Sequence, residues 1–545
     1  MRHWLLVIVL IGIGCSCKDR SPAALPSEES ASTLGEIQHR FTLNAATQEK
    51  FEEGLLLLHN FEYDDALTAF QEATALDSTE VMTHWGEAMS HYKALWRMQD
   101  MAAGGEVVGR FGETPEQRLD NIQDPLERDM WQIVEIMYQD GDVGEKNAEI
   151  ATHLKGLHAK YPAHQEIAAF YALSLIWSTE AYGDGSADLK RAAAIADQIL
   201  AENPNHPGAL HYKIHALDGP TTAAEAHQAA DAYAQVAADA AHALHMPSHI
   251  YLALGEWDGV VASNRASYDA SVERMKSLDL KDGARGYHSY AWLHYGLLQQ
   301  GRYAEAEEVL RDMLQLVPKD PTKGARGYLV GMQSRQLVAQ GSVSPETALD
   351  LDIAVEDLGL TAKAVRAFTR AQLAYAQKDI TTLTAEVNAL RQHQTIAAQQ
   401  VQGDAIAMCA AGPTRYAPTE NDLLIAEVTI AQIRGFIALL NDDTDTFKSV
   451  MEHAVATELE TNYPTGPPRI TQPSFEQYGT WLLAQAEYAE ALHQFNASLE
   501  RMPRRTASLK GKRDALTALD QSDEALTVQH TLDSILSLAD QPATL

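Results

Sequence analysis

Cysteine is nearly absent from this 545-residue chain: there are three, Cys15, Cys17 and Cys409, and two of them lie within the first seventeen residues. One remaining thiol cannot build a disulfide framework, so packing alone must hold the body together. Positive charge is also scarce. With 42 Lys and Arg against 75 Asp and Glu, the formal net charge is -33, which repels phosphate backbones and argues against nucleic acid as a partner. Past the first segment, no uninterrupted apolar run approaches the ~18 residues of a membrane span. Few stretches alternate with the two-residue rhythm of a half-buried strand, so almost no sheet is expected. His-Glu-x-x-His, a Gly-rich phosphate loop and a Gly-x-Ser-x-Gly elbow are all missing, which leaves catalysis without a familiar handle.

What is present begins with a targeting segment. Arg2 precedes an apolar run over residues 4–13, followed by Gly14-Cys15, the layout of an export signal. Its end resembles the lipobox of bacterial lipoproteins. That implies acylation at Cys15, although Gly12 stands where leucine is usual and Cys17 is a poorer second candidate; simple cleavage is the alternative. Residues 18–40 then read as a flexible tether, rich at first in Ser, Pro, Ala and Glu. The chain is expected to be exported, to the periplasm or outer membrane, touching the membrane through a lipid anchor only.

The body is rich in alanine, leucine, glutamate and glutamine. Three stretches carry a recurring pattern of small and aromatic residues: Gly54, Tyr63, Ala66, Phe70 and Ala73; Gly301, Tyr303, Ala306 and Pro318; Gly479, Tyr488, Ala491 and Phe495. Small residues let paired antiparallel helices approach, and the aromatic rings fill the space between them. Weaker copies cover 124–162, 163–204, 205–238 and 239–272, with later pairs at 361–395 and 419–460 and a terminal capping pair at 506–539. Residues 101–123, 401–419 and 463–473 interrupt the pattern and are expected to be loops; Pro464, Pro467, Pro468 and Pro473 forbid helix in the last.

On these residues the chain resembles a bacterial tetratricopeptide repeat (TPR) protein. It is similar more narrowly to a largely uncharacterised exported group with phrases like His84-Trp-Gly-Glu-Ala-Met, His211-Tyr-Lys-Ile-His and His245-Met-Pro-Ser-His-Ile. The implied fold is all-α, a right-handed superhelix of antiparallel helix pairs. We divide it into a first array over 41–320 and a second over 321–545, where degenerate and regular repeats end in the cap.

Two histidine pairs stand out. His211 and His215 recur as His245 and His249, an offset of 34 residues that equals one such repeat. Residues four apart share a helix face, so each pair is a potential clamp. The resemblance puts all four at positions that line the concave groove, with His242, His288 and Asp218 at neighbouring groove positions. Helices packed ~8–10 Å apart would let equivalent histidines share one ion. Imidazoles without cysteine suit zinc, copper, iron or nickel. His84, Glu87 and His91 form an accessory set on one helix face, and Asp218 or Glu87 could orient a ligand. His153, His158, His206 and His227 read as surface residues, and Trp85, Trp96, Trp177 and Trp292 as packing between helices.

Three functions follow. The first expectation is a cell-envelope scaffold that binds a protein or peptide in its groove, with the histidines contacting that partner or holding a metal. A metal-dependent enzyme is the second, and it requires an open ligand position facing a closed pocket. Metal storage or delivery is the third, and it requires accessible, exchangeable ligands.

Overall fold

The computed structural model describes residues 33–38, 41, 43–179, 186–340, 353–401 and 418–540. Cys15, Cys17 and Cys409 lie outside them, as does most of the 401–419 interruption. The described chain is an α-solenoid of TPR-like helix pairs, and its only sheet is a two-residue hairpin pairing Tyr92–Lys93 with Met98–Gln99.

The repeat signature acts through one contact. A Cβ placed on Gly54 would lie 2.8 Å from the Phe70 ring, and one on Gly86 only 2.4 Å from it. The fully buried Phe70 therefore sits between two glycines on the helices Ala45–His59 and Val81–His91. Phe495 does the same between Gly479 and Gly511, at 3.0 and 2.2 Å. Only glycine allows such an approach without displacing the ring. Gly86 is thereby the small position of its helix.

Two expectations need correction. Residues 101–123 are not irregular: they fold into the helices Met101–Gly109 and Pro115–Asn121. The Asp100 carboxylate accepts from Ala103 N in the first, while the Thr114 hydroxyl caps the second ahead of Pro115, and short capped helices leave weak periodicity. His206 is not a surface residue but is fully buried. Its Nδ1 accepts from Ala209 N at 3.2 Å, so it caps the helix Pro207–Ala216, and its Nε2 meets Glu166 at 3.2 Å.

The array curls onto itself. At one end, the Ala45–His59 helix packs on Pro207–Ala216, and Arg274 Nε donates to Asp65 at 2.7 Å. At the other, Trp257 Nε1 donates to the Arg504 carbonyl at 3.0 Å, and Thr506 Oγ1 to that of Gln299 at 2.6 Å. Arg505, clamped by Glu476 at 2.7 and 3.0 Å, also donates to Tyr295 Oη. Gly255, at φ 68°, lets the Pro503 carbonyl approach within 2.4 Å of where a Cβ would stand. A core of Trp257, Trp292 and Tyr295 with Leu509, Leu516 and Leu532 seals this closure. The helix Glu420–Leu440 has the length and apolarity of a membrane span, yet it packs between Ile380–Ala398 and Thr444–Glu460 as a core element.

Candidate metal centre

Six histidines converge from neighbouring helices. His211 and His215 come from Pro207–Ala216, His242 and His245 from Ala241–His245, His249 from Pro247–Leu254, and His288 from Tyr287–Gln299. Pro247 separates the second and third of these helices, but Met246 keeps right-handed helical angles of φ -54° and ψ -37°. His245 and His249 thus remain one turn apart with rings 5.0 Å from each other.

They sort into two sets of three, each with one ligand nitrogen per residue inside a 4.8 Å span: His211, His215 and His242, then His245, His249 and His288. The sets touch, with His215 and His249 at 5.9 Å and His242 and His245 at 6.2 Å between ring centres. His211 and His215 are fully buried, His245 and His249 are 1% and 2% exposed, and His242 and His288 are half-buried. Space keeps each sequence pair together and completes it to a triad, with His242 joining His211 and His215 and His288 joining His245 and His249.

Hydrogen bonds fix the tautomers. In the second set, His245 Nδ1 lies 2.7 Å from Asn264 Oδ1; because Asn264 Nδ2 donates to the Val260 carbonyl, the imidazole must be the donor. His249 Nδ1 donates to Asp218 Oδ2 at 2.6 Å. His245 therefore presents an Nε2 lone pair, which lies 3.2 Å from His249 Nε2. His288 Nε2 stands 2.9 Å from His245 Nε2, with its Nδ1 at 3.0 Å from Tyr328 Oη. In the first set, His211 Nδ1 donates to the His59 carbonyl at 2.7 Å, which leaves its bare Nε2 at 3.2 Å from His242 Nε2.

The His245 lone pair, with His249 Nε2 at 3.2 Å and His288 Nε2 at 2.9 Å, can accept a hydrogen bond or ligate a metal ion. Burial opposes charging five of the six rings: it pushes His211 and His288 down to about 3 and His215, His242 and His245 well below the usual range, with neighbouring imidazoles adding to the effect; His249 instead faces the Asp218 carboxylate. A metal fits better. Ligands at ~2.0–2.1 Å around a tetrahedral ion stand about 3.3 Å apart, close to the 3.2 Å between His245 and His249. Orientation of each Nδ1 by a carboxylate, amide or carbonyl is the usual support of metal-ligating histidine.

Aromatic rings wall the centre. Trp292 lies 4.6 Å from His249, 4.9 Å from His245 and 5.4 Å from His288, and Trp96 lies 5.9 Å from His242. Both pack between elements as expected while also covering histidine faces. Phe61, which sequence reasoning missed, contacts His211 at 4.3 Å, His242 at 5.5 Å and His215 at 6.0 Å. It holds φ 57°, a left-handed conformation that is uncommon for a bulky residue.

The accessory set is elsewhere. Glu87 accepts from Arg110 Nη1 at 3.0 Å and from Thr74 Oγ1 at 2.7 Å. Neither it nor His91 joins a three-residue ligand group among the described residues. A third such group, His59, Glu166 and His206, is a closed polar network. Glu166 bonds both imidazoles, His59 Nδ1 meets Tyr212 Oη at 2.8 Å, and His206 Nδ1 caps its helix. No ring nitrogen there is left for an ion.

No family model and no curated protein matches the chain. Among solved structures, similarity is to the TPR domain of P58(IPK), at 11% identity over 88% of this chain and 100% of that one, TM-score 0.20. Yeast Tom70 matches at 10% identity over 90% and 98%, TM-score 0.31. The human IFIT1 dimer with m7Gppp-AAAA matches at 11% over 92% and 92%, TM-score 0.31. Superposition is poor in each case, and the fold assignment stands on this chain's own helices.

Proposed function

We propose that this protein is a TPR-like metalloprotein of the cell envelope, exported and anchored through Cys15. In this reading its six clustered histidines hold transition metal in two adjacent three-nitrogen sets. The observation that carries the reading is the gathering of six imidazoles into two three-nitrogen groups, with His245 and His249 Nε2 3.2 Å apart and each ring held from behind by Asn264 or Asp218. An all-imidazole donor set favours zinc, copper, iron or nickel. A metal with an open position there supplies Lewis acidity or, if redox-active, electron transfer.

Of the three functions, metal-dependent chemistry on a small molecule is the best supported. His249 and His288 line a cavity, and Asp218 is committed to orienting His249. Burial of the ligands disfavours exchangeable storage. It also keeps the histidines from touching a partner, so protein binding, the common use of this repeat, falls to the rest of the array's surface.

The test is elemental analysis by inductively coupled plasma mass spectrometry on the full chain without a histidine tag, beside His211→Ala and His245→Ala singly and together. The parent should carry metal, each single variant should lose one set's share, and the double variant should carry none while circular dichroism stays helical. A parent that stays metal-free after zinc, copper, iron and nickel are supplied would refute the proposal.

A further inference from the structure

The cavity beside His249 and His288 is assembled from parts of the chain distant in sequence. Trp292 and the two histidines form one wall, Arg335 of the helix Lys323–Gln340 another, and the proline-rich segment from Tyr463 to Arg469 closes over them. That segment approaches closely because Gly466 has no side chain: a Cβ there would lie 2.5 Å from Trp292 Cζ2.

Arg335 differs from the other guanidiniums around this closure. Arg505 is matched bidentately by Glu476, and Arg501 donates to the Thr461 and Asn462 carbonyls and to Thr461 Oγ1 at 2.9–3.1 Å. Arg335 has only two long donations from Nη2, 3.3 Å each, to the carbonyls of Pro467 and Pro468. Its Nε is buried with no acceptor, and it forms no ion pair among the described residues. Burial together with Arg505 and Arg469 pulls it down to about 10, which marks a cation lacking its counter-charge. A Cβ on Gly331 would meet Arg335 Nη1 at 2.8 Å, so that glycine leaves room for the guanidinium to lie along its own helix.

The lining is cationic in a chain of net charge -33. Arg335, Arg469 and Arg501 face it with one carboxylate, Glu458, whose Oε2 is held by Ser474 N and Oγ at 2.7 and 2.5 Å. Between the cations and the histidines the walls are apolar, from Ala291, Trp292, Val330, Val365 and Ile425. We infer that the cavity binds an organic carboxylate, its carboxylate on Arg335 and its apolar body directed at the histidine centre. The end facing the histidines rests on the metal reading, whereas the anion clamp stands without it. A planar fork of donors suits a carboxylate.

The test is isothermal titration of the full chain with benzoate and hexanoate, and with benzamide and hexanamide as uncharged matches, repeated after chelator dialysis and on Arg335→Gln and Arg335→Lys. The parent should bind at least one acid about tenfold or more tighter than its amide, as expected when a buried donor is left unpaired by the wrong ligand. Arg335→Gln should erase that preference with metal content unchanged, and Arg335→Lys should keep part of it. Equal binding of acid and amide by the parent would overturn the assignment without any variant, as would an undiminished preference in a folded Arg335→Gln. Inorganic phosphate binding tighter than either acid, with the same Arg335 dependence, would overturn the carboxylate class. A preference that persists in protein unable to take up metal would sustain this site while the metal reading fails; metal without the preference would do the reverse.

Discussion

Asp218→Asn separates a metal ligand's support from the ligand itself. In the parent, the carboxylate 2.6 Å from His249 Nδ1 holds the Nδ1–H tautomer and raises the basicity of Nε2. Losing such a partner costs about 10- to 100-fold in metal affinity, or about 1.4–2.7 kcal/mol. The amide has a further choice, because turning its NH2 toward Nδ1 would move the ring proton to Nε2. Metal-free, that proton would bridge the 3.2 Å gap to His245 Nε2 as a hydrogen bond. The variant should therefore bind metal more weakly while its metal-free form is no less stable than the metal-free parent. Competition titration against a chromophoric chelator gives the affinity, and urea unfolding of both metal-free proteins gives the stability. Parental affinity in a folded Asp218→Asn would refute the tautomer argument and with it the case for a cation between the two rings.

The buried imidazoles also set a pH dependence. His211 and His288 sit at about 3 when folded and near 6.5 when unfolded, so the unfolded state takes up more protons between these values. Stability of the metal-free protein is then full above pH ~6.5 and falls with decreasing pH at about 2.7 kcal/mol per unit from these two groups; flat urea midpoints between pH 6.5 and 4.5 would contradict it. Gly255→Ala, with its Cβ 2.4 Å from the Pro503 carbonyl at φ 68°, should destabilise the closure by about 2 kcal/mol or more, read as a lower urea midpoint and faster proteolysis of the C-terminal helices.

The helical repeat was legible because it depends on local spacing. Gly54, Phe70 and Gly86 recur as Gly479, Phe495 and Gly511, so a contact across three helices leaves a periodic trace. The histidine pairs were legible for the same reason, as residues one turn apart repeated at one repeat length. The third member of each set was less so: His288 comes from a helix beyond the second pair and faces it only once the helices are packed. Asn264, Tyr328 and the His59 carbonyl left no signal either, since each acts through an atom common to many residues. His206 was misread because an imidazole serving as a helix cap and carboxylate partner looks, in sequence, like any histidine ahead of a proline.

The cavity was invisible for a further reason, which bears on how such a fold hosts chemistry. An open superhelix contacts only its neighbours in sequence, and its groove residues remain in water, where a bare imidazole pair is hydrated and ordinary. Here the C-terminal helices return to the Trp257–Ser277 and Tyr287–Gln299 helices through Arg504, Arg505 and Thr506. That return carries Gly466 onto Trp292 and places Arg335 beside the prolyl carbonyls. Closure removes water from both the histidines and the guanidinium, which strengthens any charge interaction left between them and a ligand. The repeat places the nitrogens and the curl desolvates them, so loosening the curl at Gly255 should weaken metal and carboxylate binding together, although the glycine touches neither site.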